Sequence, residues 1–200
     1  AYGRMAHYYL ALCRDDEEKR DILLRKAADG DSTALLPLVK IVEGRISNGF
    51  LHEAPPLIAR VREINPSCPA AAELESLYFT ERGWHDEALK RSASLIESGF
   101  PSVGRAVRAR VLNLRQNHLS AAAEYRILCS LDRYNRTYAR ALADSLERAG
   151  EADGTITALL GAVHLFPCDV DFRRKLAVAV RTSRGRGAAL PYLTAALALA

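Results

Sequence analysis

A repeat of about 34 residues constrains this chain more than any other feature of its sequence. Turn-forming residues recur at intervals of 34, 34, 34 and 33, at Asp15, Gly49, Gly83, Asn117 and Gly150. Gly, Asn and Asp tolerate the left-handed backbone conformation in which many helices end. Each of these residues lies between two stretches with helical spacing of apolar residues, and Arg184-Gly185 continues the series. Such a period is typical of helical hairpins stacked in a linear array.

Three further columns keep the same period. From Gly49 onward, small residues recur five positions after the turn residue, counted from Arg184 for the last, at Ala54, Ala88, Ala122, Thr155 and Ala189. A second column of small or short apolar residues falls in the first helices, at Val42, Ser76, Ala143 and Ala177. Arg110 interrupts that column, and we expect the register to slip there to Ala109. Second helices end at Pro66, Pro101 and Pro167, because proline cannot continue a helix.

Composition favours an all-helical chain. The 200 residues include 33 Ala and 28 Leu, the strongest helix formers, against 12 Gly and 8 Pro. The apolar share of 49% excludes disorder, and charges interrupt every apolar stretch before it could span a membrane. A net charge of +4 is too small for a protein that coats nucleic acid. Arg outnumbers Lys by 23 to 5, which indicates a GC-rich and, we expect, bacterial genome.

One segment resembles a known repeat family. Gly83-Trp84-His85-Asp86-Glu87-Ala88-Leu89 is similar to the turn and second-helix signature of tetratricopeptide (TPR) repeats. Gly150, with Ala143, Ala162 and Pro167, is similar to the same consensus in another repeat. The resemblance covers residues 32–200 well and 1–31 loosely. It implies an all-α, right-handed superhelical α-solenoid of about five to six TPR-like helix hairpins. Sel1-type repeats and irregular α-solenoids are the alternatives.

The repeat columns also predict a division of the chain. We expect a degenerate N-terminal hairpin over residues 1–31 and a TPR-like array over residues 32–200. The array divides at about 32–66, 67–101, 102–135, 136–168 and 169–200. The sequence starts without Met and stops in an apolar helix, so we expect a fragment of a longer protein. No signal peptide is visible, which slightly favours the cytoplasm.

Catalytic and metal-binding signatures are missing from the sequence. It contains no phosphate-binding glycine loop, no HExxH and no GxSxG. The four cysteines are scattered without a CxxC pair. His52, His85 and His118 recur every 33 residues, but stacked helices lie about 10 Å apart and could not share one ion. We therefore expect no enzyme activity, no catalytic or metal-ligating residue and no cofactor.

The resemblance implies that the first helices line a concave groove that binds extended partners. The groove residues it places there are Glu73, Leu77, Glu81, Val111, Arg115, Arg140, Asp144, Arg148, Arg174 and Arg181, with Glu43, Val107, Glu147 and Val178 beside them. The N-terminal half of this set is acidic and apolar. The C-terminal half is rich in Arg and suits an acidic peptide, because guanidinium groups bind carboxylates in pairs of hydrogen bonds. The alternative is a solvated face with local ion pairs, such as Arg140 with Asp144.

These observations predict a protein–protein interaction scaffold that binds a peptide or protein partner in its concave groove without catalysis. An alternative is an accessory repeat region of a larger multidomain enzyme or of a secretion or assembly protein. A lower-ranked alternative is an RNA-binding helical repeat that uses the arginines of residues 173–186. Nucleic acid is disfavoured because no aromatic side chains are interleaved with those arginines. The sequence leaves the oligomeric state open.

Overall fold

The computed structural model describes residues 19, 22–24, 26, 35–66 and 68–197. Every regular element in those residues is helical, which confirms the predicted all-α class. The helices with described bounds are α1 (Leu35–Ser47), α2 (Ala54–Ile64), α3 (Pro69–Glu81), α4 (His85–Glu97), α5 (Pro101–Leu114), α6 (His118–Leu131), α7 (Arg136–Arg148), α8 (Ala152–Leu165), α9 (Val170–Arg184) and α10 (Arg186–Leu197). Residues 19, 22–24 and 26 are helical as well. The rest of the hairpin predicted over residues 1–31 lies outside the described residues.

The chain forms two compact units, Ala1–Val107 and Arg108–Ala200, and the division falls inside α5. In the first unit, α1, α2 and α3 share an apolar core that includes Val42, Val61 and Leu74. In the second unit, α7 to α10 share a core that includes Phe172 and Leu176. Each unit therefore buries its own apolar side chains, as stacked hairpins must.

The predicted columns of small residues are buried. Ala54, Ala88 and Ala189 have no exposed surface, and Thr155 is only 3% exposed. The Thr155 hydroxyl donates to the Glu151 carbonyl oxygen at 2.8 Å, so its polar group is satisfied inside the hairpin. Small side chains at this column let the second helix of each hairpin pack closely on the first.

The register slip at the third full hairpin is confirmed. Ala109 is completely buried, whereas Arg110 is exposed. A shift of one residue rotates the inward face of an α-helix by about 100°. The side chains of α5 that face the core are therefore not those that an uninterrupted repeat predicts.

One turn departs from the predicted pattern. Gly49, Gly83 and Gly150 have φ angles of +82°, +76° and +78°, as expected for left-handed turn residues. In the hairpin of α5 and α6 the positive φ, +60°, falls on Gln116, so the prediction for Asn117 is wrong. The side-chain oxygen of Asn117 instead accepts a hydrogen bond from a backbone N–H in the first turn of α6. Asn is among the preferred residues at this capping position.

Gly104 marks a close approach of two helices that the repeat columns do not predict. A Cβ atom at this position would lie 2.5 Å from the Ser92 carbonyl oxygen and 2.7 Å from Cγ1 of Ile96. Ser92 and Ile96 belong to α4, and Gly104 belongs to α5. The two helices can approach this closely only because residue 104 has no side chain.

Candidate functional site

A pocket of about 250 Å³ opens between α7 and α9 in the second unit. These are the first helices of successive hairpins, and α8, which joins them in the chain, contributes to the lining. The apolar lining residues are Ala143, Leu159, Val178 and Ala179, and the polar ones are Asp144, Glu147, Thr155, Arg174 and Lys175. The structure therefore brings the predicted groove residues Asp144 and Arg174 into one pocket.

Sequence reasoning missed several residues of this pocket. Lys175 lies 31 positions after Asp144, close to one repeat, and this spacing could have revealed it. Leu159 and Ala179 carry no such signal, because they read as ordinary core residues of α8 and α9. Their contribution depends on how the helices pack.

Ion pairs join α7 to α9 along the cleft. Arg140 Nη2 lies 2.6 Å from Asp171 Oδ2, and Lys175 Nζ contacts Asp144 Oδ1. Each pair links residues 31 positions apart. The local pair between Arg140 and Asp144, named above as an example of the alternative, does not form, because packing of the first helices gives each of these charges a closer partner on the neighbouring helix.

Asp169 fixes the beginning of α9. Its carboxylate accepts hydrogen bonds from the backbone N–H groups of Asp171 and Phe172, at 2.9 and 3.3 Å, and from the Arg136 guanidinium. The hydrogen bond from Arg136, followed by those from the backbone, lowers the pKa of Asp169. Arg136 also lies over the Phe172 ring, 5.9 Å from its centroid. The N-terminal ends of α7 and α9 are thus tied together.

Three of the four arginines predicted for the C-terminal half are accessible to a partner. The Arg174 side chain is 70% exposed and reaches Asp171 only at 3.5 Å. Arg148 and Arg181 are exposed and form no ion pair with any residue that the structure describes. Arg140, in contrast, is held by Asp171. Arg181 follows Arg174 by seven residues and lies on the same face of α9.

Val111 does not belong to a binding surface. Its side chain is completely buried in the second unit, so the prediction that it contacts a partner is wrong. The cause is the register slip at Ala109, which turns Val111 toward the core. Arg115, just beyond the end of α5, is exposed.

The predicted residues of the N-terminal half lie on α3 in the first unit. Glu73 and Glu81 are exposed, and Leu77 packs, partly buried, against the core. Loss of water around the carboxylate, and then the Glu43 carboxylate, raise the pKa of Glu73, although its side chain still reaches solvent. The Lys40 ammonium lowers this pKa. Lys40 itself pairs with Glu43 at 2.6 Å. Two carboxylates and one ammonium therefore leave this face acidic.

Two of the five arginines of residues 173–186 are engaged within the chain. Arg173 donates twice to the Pro167 carbonyl oxygen, at 3.0 and 2.8 Å. Arg184 lies 3.2 Å from Asp153. Arg174, Arg181 and Arg186 stay exposed, but no aromatic side chain lies among residues 173–186 to stack on a base, so no observation favours RNA binding.

The described residues offer neither a metal site nor a membrane-spanning helix. They contain no group of three or more His, Cys, Asp and Glu side chains that could hold a metal ion. None of their helices is both long and apolar enough to cross a membrane.

Comparison with known proteins gives matches in structure only. No protein-family model and no curated protein matches the sequence. MamA from Desulfovibrio magneticus RS-1, from residue 41 to its end, superimposes with a TM-score of 0.63 at 14% identity, over 86% of this chain and 97% of that one. MamA of strain AMB-1 gives a TM-score of 0.58 at 17% identity, over 85% of this chain and 100% of that one.

A third solved structure carries the repeat family in its description. YrrB, described as a TPR protein with an unusual peptide-binding site, gives a TM-score of 0.58 at 15% identity, over 88% of this chain and 91% of that one. At this level of identity the similarity shows the fold. Together with the helical hairpins and their buried columns, it shows that this chain has a tetratricopeptide-like helical-repeat fold.

Proposed function

We propose that this chain is a non-catalytic protein-interaction module that holds a peptide segment of a partner in the cleft between α7 and α9. The pocket in this cleft carries the proposal, because it combines an apolar floor with a few charged groups at its walls. The described peptide-binding site of YrrB supports it, since the two chains share a fold. Function still depends on the site itself, and not on the fold.

The lining of the pocket defines the peptide that would fit. Val178, which is 39% exposed, and the half-buried Ala179 offer apolar surface to one apolar side chain of the peptide, and the buried Ala143 and Leu159 lie beneath them. Arg174 and Arg181 would bind a carboxylate beside it, because guanidinium groups form paired hydrogen bonds with carboxylates. Glu147, at the α7 side, would repel a second anion. We therefore expect an apolar residue next to one acidic residue or a C-terminal carboxylate.

The face of α3 in the first unit is proposed as a second contact area with the opposite preference. Glu73 and Glu81 are exposed there, and Leu77 adds partly buried apolar surface. A basic segment would offset the repulsion between the Glu73 and Glu43 carboxylates. An acidic partner thus fits the second unit better than the first.

Selection from a random peptide library, with the whole chain as bait, tests the proposal. We expect the selected peptides to share an apolar residue beside an acidic one. Their affinity should fall at least about tenfold in a variant with Arg174→Glu and Arg181→Glu, because two cations that face the carboxylate are reversed. Arg60→Glu with Lys90→Glu is the matched control, since it changes the net charge equally on the first unit. Equal binding by the parent and the Arg174/Arg181 variant would contradict the proposal.

A further inference from the structure

An apolar line on α6 faces solvent. Leu119, Ile127 and Leu131 are 57%, 40% and 56% exposed, and Tyr134, just beyond the helix, is 71% exposed. Together with the exposed Ala123, the helical members recur every four residues and form one ridge. The opposite side of the helix is buried. We call the exposed ridge, with Tyr134, the α6 ridge.

The repeat architecture does not require the α6 ridge. When α6 and α8 are aligned on their first residues, His118 and Ala152, the positions equivalent to Leu119 and Ile127 are Asp153 and Gly161. One repeat earlier, in α4, which begins at His85, the position of Ile127 is Ser94. Stacking of hairpins therefore tolerates polar or small residues at these positions. Contiguous apolar surface that the fold does not need is typical of a surface that meets a partner.

Two arginines beside the ridge indicate the charge of that partner. Arg126 and Arg133 are exposed and form no ion pair within the described part of the chain. Glu124, on the same helix, is occupied by Arg108 at 3.4 Å. Asp132, between Leu131 and Arg133, is exposed and, among the residues that the structure describes, accepts only from the neutral Asn135 amide. Two arginines against this one carboxylate leave the free charge beside the ridge positive, and guanidinium groups favour carboxylates.

The shape of the ridge favours a helix as the partner element. Ridges formed by every fourth residue pack into the grooves of another helix, and the small Ala123 leaves a notch between Leu119 and Ile127. A second copy is disfavoured, because a two-fold axis through the ridge would place the flank with Arg126 against itself. An anionic membrane is disfavoured as well, because lipid-binding segments carry about four to eight basic residues.

We propose that the α6 ridge binds an amphipathic helix of a partner protein, with the apolar face on Leu119, Ile127 and Leu131 and acidic residues toward Arg126 and Arg133. This interaction goes beyond the peptide cleft, whose lining contains no residue of α6. The chain would then have two binding surfaces, one formed by first helices and one by a second helix.

Two synthetic helices test this proposal as probes. Both are peptides of about 18 residues with Leu at every fourth position, and they differ only in carrying Glu or Lys along one flank. In fluorescence anisotropy with the whole chain, we expect the Glu peptide to bind at least about tenfold more tightly than the Lys peptide. Arg126→Glu with Arg133→Glu should reverse this preference. Ile127→Ser with Leu131→Ser should weaken the Glu peptide at least about tenfold, without changing the melting temperature, because both side chains are exposed.

Several results would overturn the proposal. They are equal binding of the two peptides, no binding of either, and binding that the Ile127/Leu131 variant leaves unchanged. Sedimentation with phosphatidylserine vesicles that the same variant abolishes would assign the ridge to lipid. The variant with Arg174→Glu and Arg181→Glu should keep its affinity for the Glu peptide, and loss of binding in it would place that peptide in the cleft instead. Failure of the cleft proposal is thus distinguishable from failure of this one.

Discussion

Arg140 is bound by Asp171 at 2.6 Å, one repeat further along the chain, and not by Asp144, one helical turn away. The two side chains are 37% and 44% exposed, so solvent screens the pair. We expect a double-mutant cycle of Arg140→Ala and Asp171→Ala, measured by urea unfolding, to give a coupling of about 0.5 kcal/mol. The matched cycle of Arg140→Ala and Asp144→Ala should give a coupling near zero. A larger coupling to Asp144 than to Asp171 would contradict this relationship.

Gly104 should tolerate no side chain. Gly104→Ala places a Cβ atom 2.5 Å from the Ser92 carbonyl oxygen, so the two helices must separate. We expect a loss of about 1–3 kcal/mol in the free energy of unfolding, as for other overpacked cores. Gly44→Ala in α1 is the control, because a Cβ there meets nothing within 4 Å. The control should gain about 0.5–1 kcal/mol from helix propensity. Similar effects of the two substitutions in urea unfolding would refute the close approach.

Glu73 should destabilise the folded chain at neutral pH. Burial and the Glu43 carboxylate raise the pKa of Glu73 above the ordinary 4.5, so its charged form is disfavoured in the folded state. Glu73→Gln should therefore stabilise the chain at pH 7, by at most about 0.5 kcal/mol because the side chain still reaches solvent. The gain should vanish as the pH falls through the raised pKa, where the parent becomes protonated. Urea unfolding at a series of pH values checks this, and Glu63→Gln on the surface of α2 is the control. If Glu73→Gln still raised the free energy of unfolding below pH 4.5, the raised pKa of Glu73 would not be its cause.

Asp169 should show the opposite dependence on pH. Its pKa lies below the ordinary 3.8, chiefly because Arg136 donates to it, so its charge stabilises the folded state at neutral pH. Asp169→Ala should cost about 1 kcal/mol for the lost helix cap at pH 7. The contribution of the charge should be lost as the pH falls below 3.8 through the lowered pKa, and the difference from the parent should narrow.

Asn135→Ala is the matched control for Asp169→Ala. Asn135 caps α7 by accepting from the backbone N–H groups of Thr137 and Tyr138, at 3.1 and 3.3 Å. The Asn135 amide does not titrate. The cost of Asn135→Ala in free energy of unfolding should therefore not fall with the pH as the cost of Asp169→Ala does. Equal pH profiles for the two variants in urea unfolding would show that the carboxylate of Asp169 has no special role.

The repeat period predicts much of the fold because it records where helices must touch. Ala54 and Ala88 are buried for that reason, and the interruption at Arg110 was enough to predict that Ala109 replaces it. The side chains of the cleft could be predicted only in part. Asp144 and Arg174 share a pocket, as the repeat implies. Val111 lies in the core instead of the groove, because the register slip at Ala109 shifts the inward face of α5 by one residue.

The partners of the charged residues could not be predicted from spacing. Arg140 and Asp144 are four residues apart, and local geometry alone would pair them. The packing of α7 against α9 instead offers Asp171 and Lys175 as partners, and that packing depends on the side chains of two hairpins together. The α6 ridge is likewise visible only once the buried side of α6 is known.

The central claim is that the cleft between α7 and α9 binds a partner peptide. An NMR titration of the ¹⁵N-labelled chain with a library-selected peptide tests it most directly. We expect the largest amide shift changes at Ala143, Glu147, Arg174, Val178 and Arg181. Changes concentrated on other helices, with these five amides unmoved at saturation, would contradict the claim.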